Sequence, residues 1–375
     1  MKILVTGARG LIGWHSLCHL YAANSAAKFK ALPEPFDITS LDHASFCDAR
    51  LLESSLSGAD AVLHFAGVNR APNHEIEEAN PKIAQLLIDA CRRIDASPHI
   101  VYANSTHSAA DTPYGRSKKR AGEILADYTS NYTNLVLPHV FGECARPNYN
   151  NVTATLIDQI IAGKTPTVNP EGKVELLHAG EAARTAISVL ALRKYGTVTP
   201  KPRPMSVPQL LSQLQSFHAE YAANKFPDFQ DDFQVQLFNS YRAAHYPAGF
   251  PRALKLNEDI RGALFEAVKG GGGGQSFLSW TKPGVTRGNH FHLNKVERFL
   301  VVQGQAIIRI RRVLQDEIWE FAVSGDRPSA VDMPTLHTHS IENIGAEPLL
   351  TLFWTNEIFD PNEPDTYFDP VLKAK

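Results

Sequence analysis

The sequence predicts two domains, an α/β fold built on a parallel sheet and an all-β fold behind it. Three observations carry that expectation. A length of 375 residues favours two cores over one. The first third alternates short apolar runs with helical patterns, the signature of βαβ units. Beyond PAGFPRALK (Pro247–Lys255) the runs are short, rich in β-branched and aromatic residues, and bounded by turn residues.

The elements follow in order. KILVTG, DAVLHFAG and HIVYANS are strands, each followed by a helix: LIGWHSLCHLYAAN, PKIAQLLIDACRRID and KKRAGEILADYTSNY. TNLVLPHVFG is a further strand. NNVTATLIDQIIAGK and EAARTAISVLALRK are helices of a less regular lobe, and PKPRPMSVPQLLSQLQSFHAEY is a Pro-rich lead-in to another. This assigns 1–245 to the first domain, with a substrate lobe over about 135–245, and 250–375 to the second. There GQSFLSWTKPG, KVERFLVVQGQAIIRIRRV, EIWEFAVSG, SAVDMP and EPLLTLFWTNEIFD read as strands of a sandwich or barrel. Gly270–Gly274 is a flexible hairpin connection, because no helix follows that would make it a phosphate loop.

Composition narrows the function. A net charge of -2 gives no electrostatic case for nucleic acid or an anionic membrane. Cys18, Cys47, Cys91 and Cys144 form no CxxC pair and read as thiols of a reducing compartment. No run of about eighteen apolar residues exists, and MKILVTG reads as a strand and not a signal peptide, so the expectation is a cytoplasmic protein without a membrane partner.

Two stretches carry chemistry in the first domain. TGARGLIG puts Gly7, Gly10 and Gly13 between the first strand and a helix, where backbone approaches a pyrophosphate and the helix N-terminus favours the anion. Arg9 lies inside that loop, in reach of a 2′-phosphate, which favours NADPH. The end of the second strand usually holds the ribose selector; that region reads FKALPEPFD, and no residue stands out in it. Tyr114 and Lys118 are four apart on one helix face. An ammonium there lowers the phenol pKa from about 10 towards neutrality and suits it to exchange a proton with a carbinol oxygen. Ser105 or Thr106 would polarise the same oxygen.

The second domain offers a metal. From Gly284 to Gly304 the chain carries His290, His292 and Glu297; alternate strand residues share a face, and Glu297 returns to it across a turn. A fourth ligand is expected from MPTLHTHSIEN, as His337 or His339, with His339 preferred by its spacing to Asn343. Such a set suits Zn²⁺, Fe²⁺ or Mn²⁺, zinc first.

On these motifs, 1 to about 245 resembles an extended short-chain dehydrogenase/reductase on a Rossmann-type parallel sheet, acting on nucleotide sugars. The resemblance implies a cofactor set of Gly7, Arg9, Gly10, Leu11, Ile12, Gly13, Phe65, Ala66, Gly67, Tyr114 and Lys118. It also implies Asn80 as the helix asparagine that holds a proton-relay water. The region from Gly284 onward resembles a cupin barrel, and LNEDIRGALFEAV (Leu256–Val268) resembles the opening strand of sugar-nucleotide 3,5-epimerase-type cupins. The whole chain resembles the bifunctional capsular polysaccharide enzymes of the CapF type. GVNR (Gly67–Arg70), PYGRSK (Pro113–Lys118), RPNYNNV (Arg146–Val152), KPGVTRGNHFH (Lys282–His292), FLVVQG (Phe299–Gly304) and NEIFDPNEPDTYF (Asn356–Phe368) carry that likeness.

The resemblance implies a UDP-linked 4-keto-6-deoxy-N-acetylhexosamine as substrate, in UDP-N-acetyl-L-fucosamine synthesis. The cupin would epimerise C3, and NADPH would then reduce C4. His337, Lys295 and Glu342 are candidates for the epimerising base. A homodimer is expected, since both families tend to pair. The chain departs from the pattern at several places. His139 stands where the family tends to show Asn, His178–Arg184 (HAGEAAR) where a VDD-like turn is usual, and Leu336 where the second cupin motif has Gly. An NAD-dependent 4-epimerase with a structural cupin and a non-catalytic NADP or sugar sensor are the competing readings. Thr106 followed by His107 argues against a dehydratase.

Overall fold

The computed structural model describes residues 1–260, 262–270 and 273–373. The chain divides into two compact units, Met1–Thr155 with Val168–Pro208, and Leu156–Thr167 with Gln209–Lys375. In order the elements are β1 (Lys2–Thr6), α1 (Leu11–Phe29), β2 (Asp37–Leu41), α2 (His43–Cys47), α3 (Ala49–Leu56), β3 (Ala61–His64), α4 (Asn73–Arg93) and β4 (His99–Ser105). There follow α5 (Pro113–Tyr128), β5 (Tyr132–Leu137), β6 (His139–Phe141), α6 (Val152–Ile161), β7 (Lys173–His178), α7 (Ala179–Ala191), β8 (Gly196–Val198) and β9 (Arg203–Ser206).

The first unit is a parallel six-stranded sheet in the order β2-β1-β3-β4-β5-β8, with a small sheet β6-β7-β9 beside it. The alternation of β1 decides the two layers. Ile3 and Val5 pack with Leu17 and Leu20 of α1 and Ala182 and Ala186 of α7, while Leu4 packs with Ala84 and Leu87 of α4 and Ala121 and Leu125 of α5. Strand order reverses at β1 and β3, so the crevice beyond their carboxyl ends is the ligand position of such sheets. The second strand starts later than FKALPEPFD suggests. Pro33 and Pro35 have no N–H for a ladder, so pairing with β1 begins at Asp37 and ends with Leu41 opposite Thr6.

In the second unit come α8 (Val207–Ala222, from Gln209 on), β10 (Lys225–Phe226), α9 (Asp232–Ala243), β11 (Arg252–Ala253), β12 (Leu256–Asp259), β13 (Gly262–Phe265), β14 (Lys269–Gly270), β15 (Gln275–Thr281) and β16 (Thr286–Phe291). The remaining strands are β17 (Glu297–Gln303), β18 (Gln305–Arg312), β19 (Ile318–Ser324), β20 (Ser329–Met333), β21 (His337–Asn343), β22 (Leu349–Thr355) and β23 (Tyr367–Phe368). Two five-stranded antiparallel sheets, β11-β20-β17-β22-β15 and β19-β18-β21-β16-β23, form its body. Leu256–Val268 forms a separate hairpin, β12 with β13, and its Arg261 lies outside the described residues. Of Gly270–Gly274, positions 271 and 272 also lie outside them.

The division falls before 245–250, where composition changes. The helical segment from Gln209 packs with the β unit: Phe226 stacks on Trp354 at 4.5 Å, and the Tyr221 hydroxyl donates to Asp332. Asp332 also takes a two-pronged bond from Arg298, Nη2 to Oδ2 at 2.9 Å, with both side chains at 0% exposure. Removing one partner of such a pair strands the other charge. Asp332→Ala is expected to lower unfolding free energy by about 3–5 kcal/mol in denaturant titration; a loss below about 1 kcal/mol refutes this.

Candidate functional site

Each unit holds one cleft lined by residues singled out in the sequence. The cleft of the first unit, about 710 Å³, lies at the carboxyl end of the parallel sheet. Gly7, Arg9, Gly10, Leu11, Ile12, Gly13, Phe65, Gly67, Asn80, Ser105, Tyr114 and Lys118 line it; Ala66 and Thr106 do not. The glycines are dictated by close approach. Gly7 has φ +70, and a Cβ on it would meet Ala66 N at 2.6 Å; a Cβ on Gly13 would meet Gly7 O at 2.2 Å. That bare backbone, ending in the first turn of α1, is a cradle of the kind a dinucleotide pyrophosphate needs.

The Tyr114 arm is placed by its own local fold. Thr112 caps α5 through Gly115 N at 3.0 Å, and Gly115 has no Cβ because one would lie 2.2 Å from Ala110 O. This presses the first turn of α5 onto the turn after β4, which brings the Tyr114 phenol to the side of Ser105. Ser105 is buried, whereas Thr106 is exposed in a 3₁₀ turn. Asn80 donates to Val68 O at 3.0 Å and to Ser117 Oγ at 2.9 Å and accepts from Val68 N at 2.9 Å, which fixes the loop beyond β3.

The electrostatics correct one expectation. Lys118 is buried, donates to Ala103 O at 2.6 Å and lies 4.1 Å from the Tyr102 ring centre. Burial drives its pKa down to about 7. Tyr114 is not lowered towards neutrality. Burial raises it above the ordinary phenol value, and the neighbouring Ser105 hydroxyl offsets only part of that. Burial penalises the charged lysine, so Lys118 should hold its proton below about pH 7 and shed it above. Reductive ¹³C-methylation read by NMR should show that midpoint; titration near 10 refutes it.

In the second unit four ligand atoms, from His290, His292, Glu297 and His339, lie within 4.8 Å of one another. His292 Nε2 and His339 Nε2 approach the same carboxylate oxygen, Glu297 Oε2, at 3.0 and 3.3 Å. Register supplies the fourth member: β16 pairs with β21 so that His290 faces His339. His337 is outside the cluster, bonded through Nδ1 to Thr335 O and stacked on Trp319. Leu336 adopts φ 60 and stays buried, so a left-handed turn is held here without the glycine that makes it easy.

Tautomers show that this set fits a divalent metal. His292 Nδ1 donates to Asp365 O and His339 Nδ1 to His337 O, which aims both Nε2 atoms inwards, where they would ligate once unprotonated. Burial opposes charge on Glu297, but His292 and His339 hold its pKa well below the ordinary carboxylate range. Burial, then the neighbouring imidazoles, push His290 down, towards the neutral form that ligates.

Sequence reasoning passed over Asp365. Its carboxylate accepts from Leu293 N, Asn294 N and Lys295 N at 2.8–2.9 Å, clamping the turn between His292 and Glu297. Its place in the long NEPDTYF stretch was the available signal. Asp365→Ala should weaken zinc binding about 10–100-fold in a chelator competition, and an unchanged affinity refutes that. The cleft around the cluster, about 640 Å³, is lined by Phe277, Trp280, Arg287, Lys295 and Phe353 among others. Of the three candidate bases, Lys295 lines it; His337 and Glu342 do not.

A second His–Glu–His group, His15, Glu143 and His178, lies in the first unit. Here the tautomer argues against a metal. His178 Nδ1 accepts from Gly180 N at 3.2 Å, so Nε2 carries the hydrogen and donates it to Glu143 Oε2 at 2.9 Å. Burial would raise Glu143, yet His178 and His15 hold it down at about 2. This is a buried hydrogen-bonded network around the Glu143 carboxylate, next in sequence to the cleft-lining Cys144, Ala145 and Arg146.

Residues 3–199 match the NAD dependent epimerase/dehydratase family, and 257–367 match the polysaccharide biosynthesis C-terminal domain. The UDP-2-acetamido-2,6-beta-L-arabino-hexul-4-ose reductase of Pseudomonas aeruginosa is 28% identical over 376 residues, 98% of each chain. The crystal structure of the capsular polysaccharide assembling protein CapF from Staphylococcus aureus is 30% identical, with a TM-score of 0.58, over 99% of this chain and 100% of its own. A probable low-salt glycan biosynthesis epimerase of Haloferax volcanii is 27% identical over 126 residues, 30% of this chain and 81% of its own.

Proposed function

The chain belongs to the NAD dependent epimerase/dehydratase family, and from that premise we propose that it is a bifunctional nucleotide-sugar enzyme of capsule or related glycan synthesis. The second unit, read as a cupin over 250–375, epimerises C3 of a UDP-linked 4-keto-6-deoxy-N-acetylhexosamine. The first reduces the C4 ketone. One observation carries the reading: a tyrosine–lysine–serine arm beside a glycine cradle, and a separate three-imidazole, one-carboxylate cluster, occupy two clefts of one chain. The full-length likeness to a hexul-4-ose reductase and to CapF supports the substrate class.

When bound, a nicotinamide dinucleotide supplies reducing equivalents and a divalent metal, zinc by donor set, supplies Lewis acidity. The chain's own groups do the rest. Tyr114, kept protonated at neutral pH by burial, is the acid for the developing C4 alkoxide, and Ser105 orients that oxygen. Lys118 restores charge beneath the phenol as the proton leaves. In the other cleft the C3 proton is acidic because a ketone adjoins it. We assign its exchange to Lys295, the one of the three candidate bases that lines the cleft, where its Nζ donates to Pro364 O at 2.6 Å. The reading includes a cytoplasmic homodimer, which rests on the resemblance.

The test is incubation of the protein with the 4-keto substrate in D₂O, with and without reduced dinucleotide, following C3 deuterium by NMR and cofactor oxidation by absorbance. Exchange without cofactor, and oxidation on its addition, are the expected result. Oxidation without any exchange reduces the chain to a one-step reductase.

A further inference from the structure

We propose that Asp42, together with Arg9, makes this a site for a dinucleotide with a free ribose 2′-hydroxyl, NADH in place of the NADPH that Arg9 alone suggests; this rests on the first unit's cleft being the dinucleotide site.

The position comes from β2. Its last residue, Leu41, pairs with Thr6, and Leu41 O accepts from Ala8 N at 3.2 Å, so the loop carrying Gly7, Gly10 and Gly13 is anchored on the end of β2. Asp42 is the next residue, at the place where such folds choose between ribose hydroxyl and phosphate. Its carboxylate is held there: Oδ1 accepts from Ser45 N at 3.0 Å and Ser45 Oγ at 2.9 Å, while Oδ2 lies 3.1 Å from Arg9 Nη2. The Ser45 bonds, then Arg9, keep it ionised below the usual carboxylate range.

Charge decides the preference. A 2′-phosphate brings almost two negative charges and would share Arg9 with a fixed carboxylate that repels it. A ribose hydroxyl instead donates to that carboxylate. The Arg9 side chain is 83% exposed, so its pairing is easily exchanged, whereas Asp42 is fixed by the cap it makes. The cleft's other cations are engaged: Lys118 on Ala103 O, and Arg146 over the Tyr149 ring at 4.9 Å.

The test is equilibrium binding of NADH and NADPH to the full chain, read by nicotinamide fluorescence and calorimetry without any sugar substrate. Wild type should bind NADH about tenfold more tightly than NADPH or better. Asp42→Asn, which retains a capping side chain, should weaken NADH several-fold and bring the ratio to one or below. Arg9→Ala should weaken NADPH by a larger factor than NADH, and so widen the ratio. NADPH preferred by wild type, or equal losses for both in Asp42→Asn, overturns the proposal while leaving the reductase reading intact. Binding of neither dinucleotide overturns both. Should Asp42→Asn not fold, the wild-type ratio still decides.

Discussion

Tyr114→Phe is expected to lower ketone-dependent cofactor oxidation by about 10²–10⁴-fold and to leave C3 deuterium exchange unchanged. The substitution removes one oxygen and nothing else. The ring remains on the first turn of α5, and Gly115 still allows that turn to approach the turn after β4. Lost is the proton donor beside Ser105, leaving the C4 alkoxide to take its proton from water. Burial keeps the phenol protonated, so the rate should stay flat through neutrality on Tyr114's account and vary with Lys118 near pH 7. A loss below about fivefold would move the acid elsewhere. Loss of both reactions together would show a fold defect, and far-ultraviolet circular dichroism separates that case.

Glu297→Gln should abolish both stoichiometric metal binding and C3 exchange, with reduction of an already epimerised substrate within about threefold of wild type. Glu297 Oε2 is the oxygen on which His292 and His339 converge, so the amide removes the one anionic donor from a set of three imidazoles. Glutamine keeps the shape and spares the buried strand. The site loses a full negative charge that both imidazoles stabilise. Metal content by plasma mass spectrometry reads the first effect and NMR the second. Retained metal with lost exchange would make Glu297 part of the proton transfer; retained exchange without metal would remove Lewis acidity from the reaction.

Much of this was legible in the chain itself. The glycine spacing of TGARGLIG announces the cradle because only a residue without Cβ fits between Gly7 O and the start of α1. Tyr114 and Lys118 are neighbours by helix geometry alone, and His290, His292 and Glu297 are close in sequence, so local conformation brings them together. The other members depend on pairings between distant segments. His339 joins His290 through the β16–β21 register, and one residue of slip would have moved it to the other face. Asp365 reaches the turn between His292 and Glu297 from 70–72 residues away. Asp42 follows the second strand only because Pro33 and Pro35 delay that strand to Asp37–Leu41.

The sequence by itself determined the two candidate residue sets, since residue type and short spacing are local properties that the backbone period converts directly into shared faces. The tertiary structure alone placed Ser105 and not Thr106 in the cleft, and His339 and not His337 in the cluster, and set the raised phenol of Tyr114, the lowered lysine of its helix and the pairing of Arg9 with Asp42. These follow from burial and from strand register, which depend on what the rest of the chain places around each group.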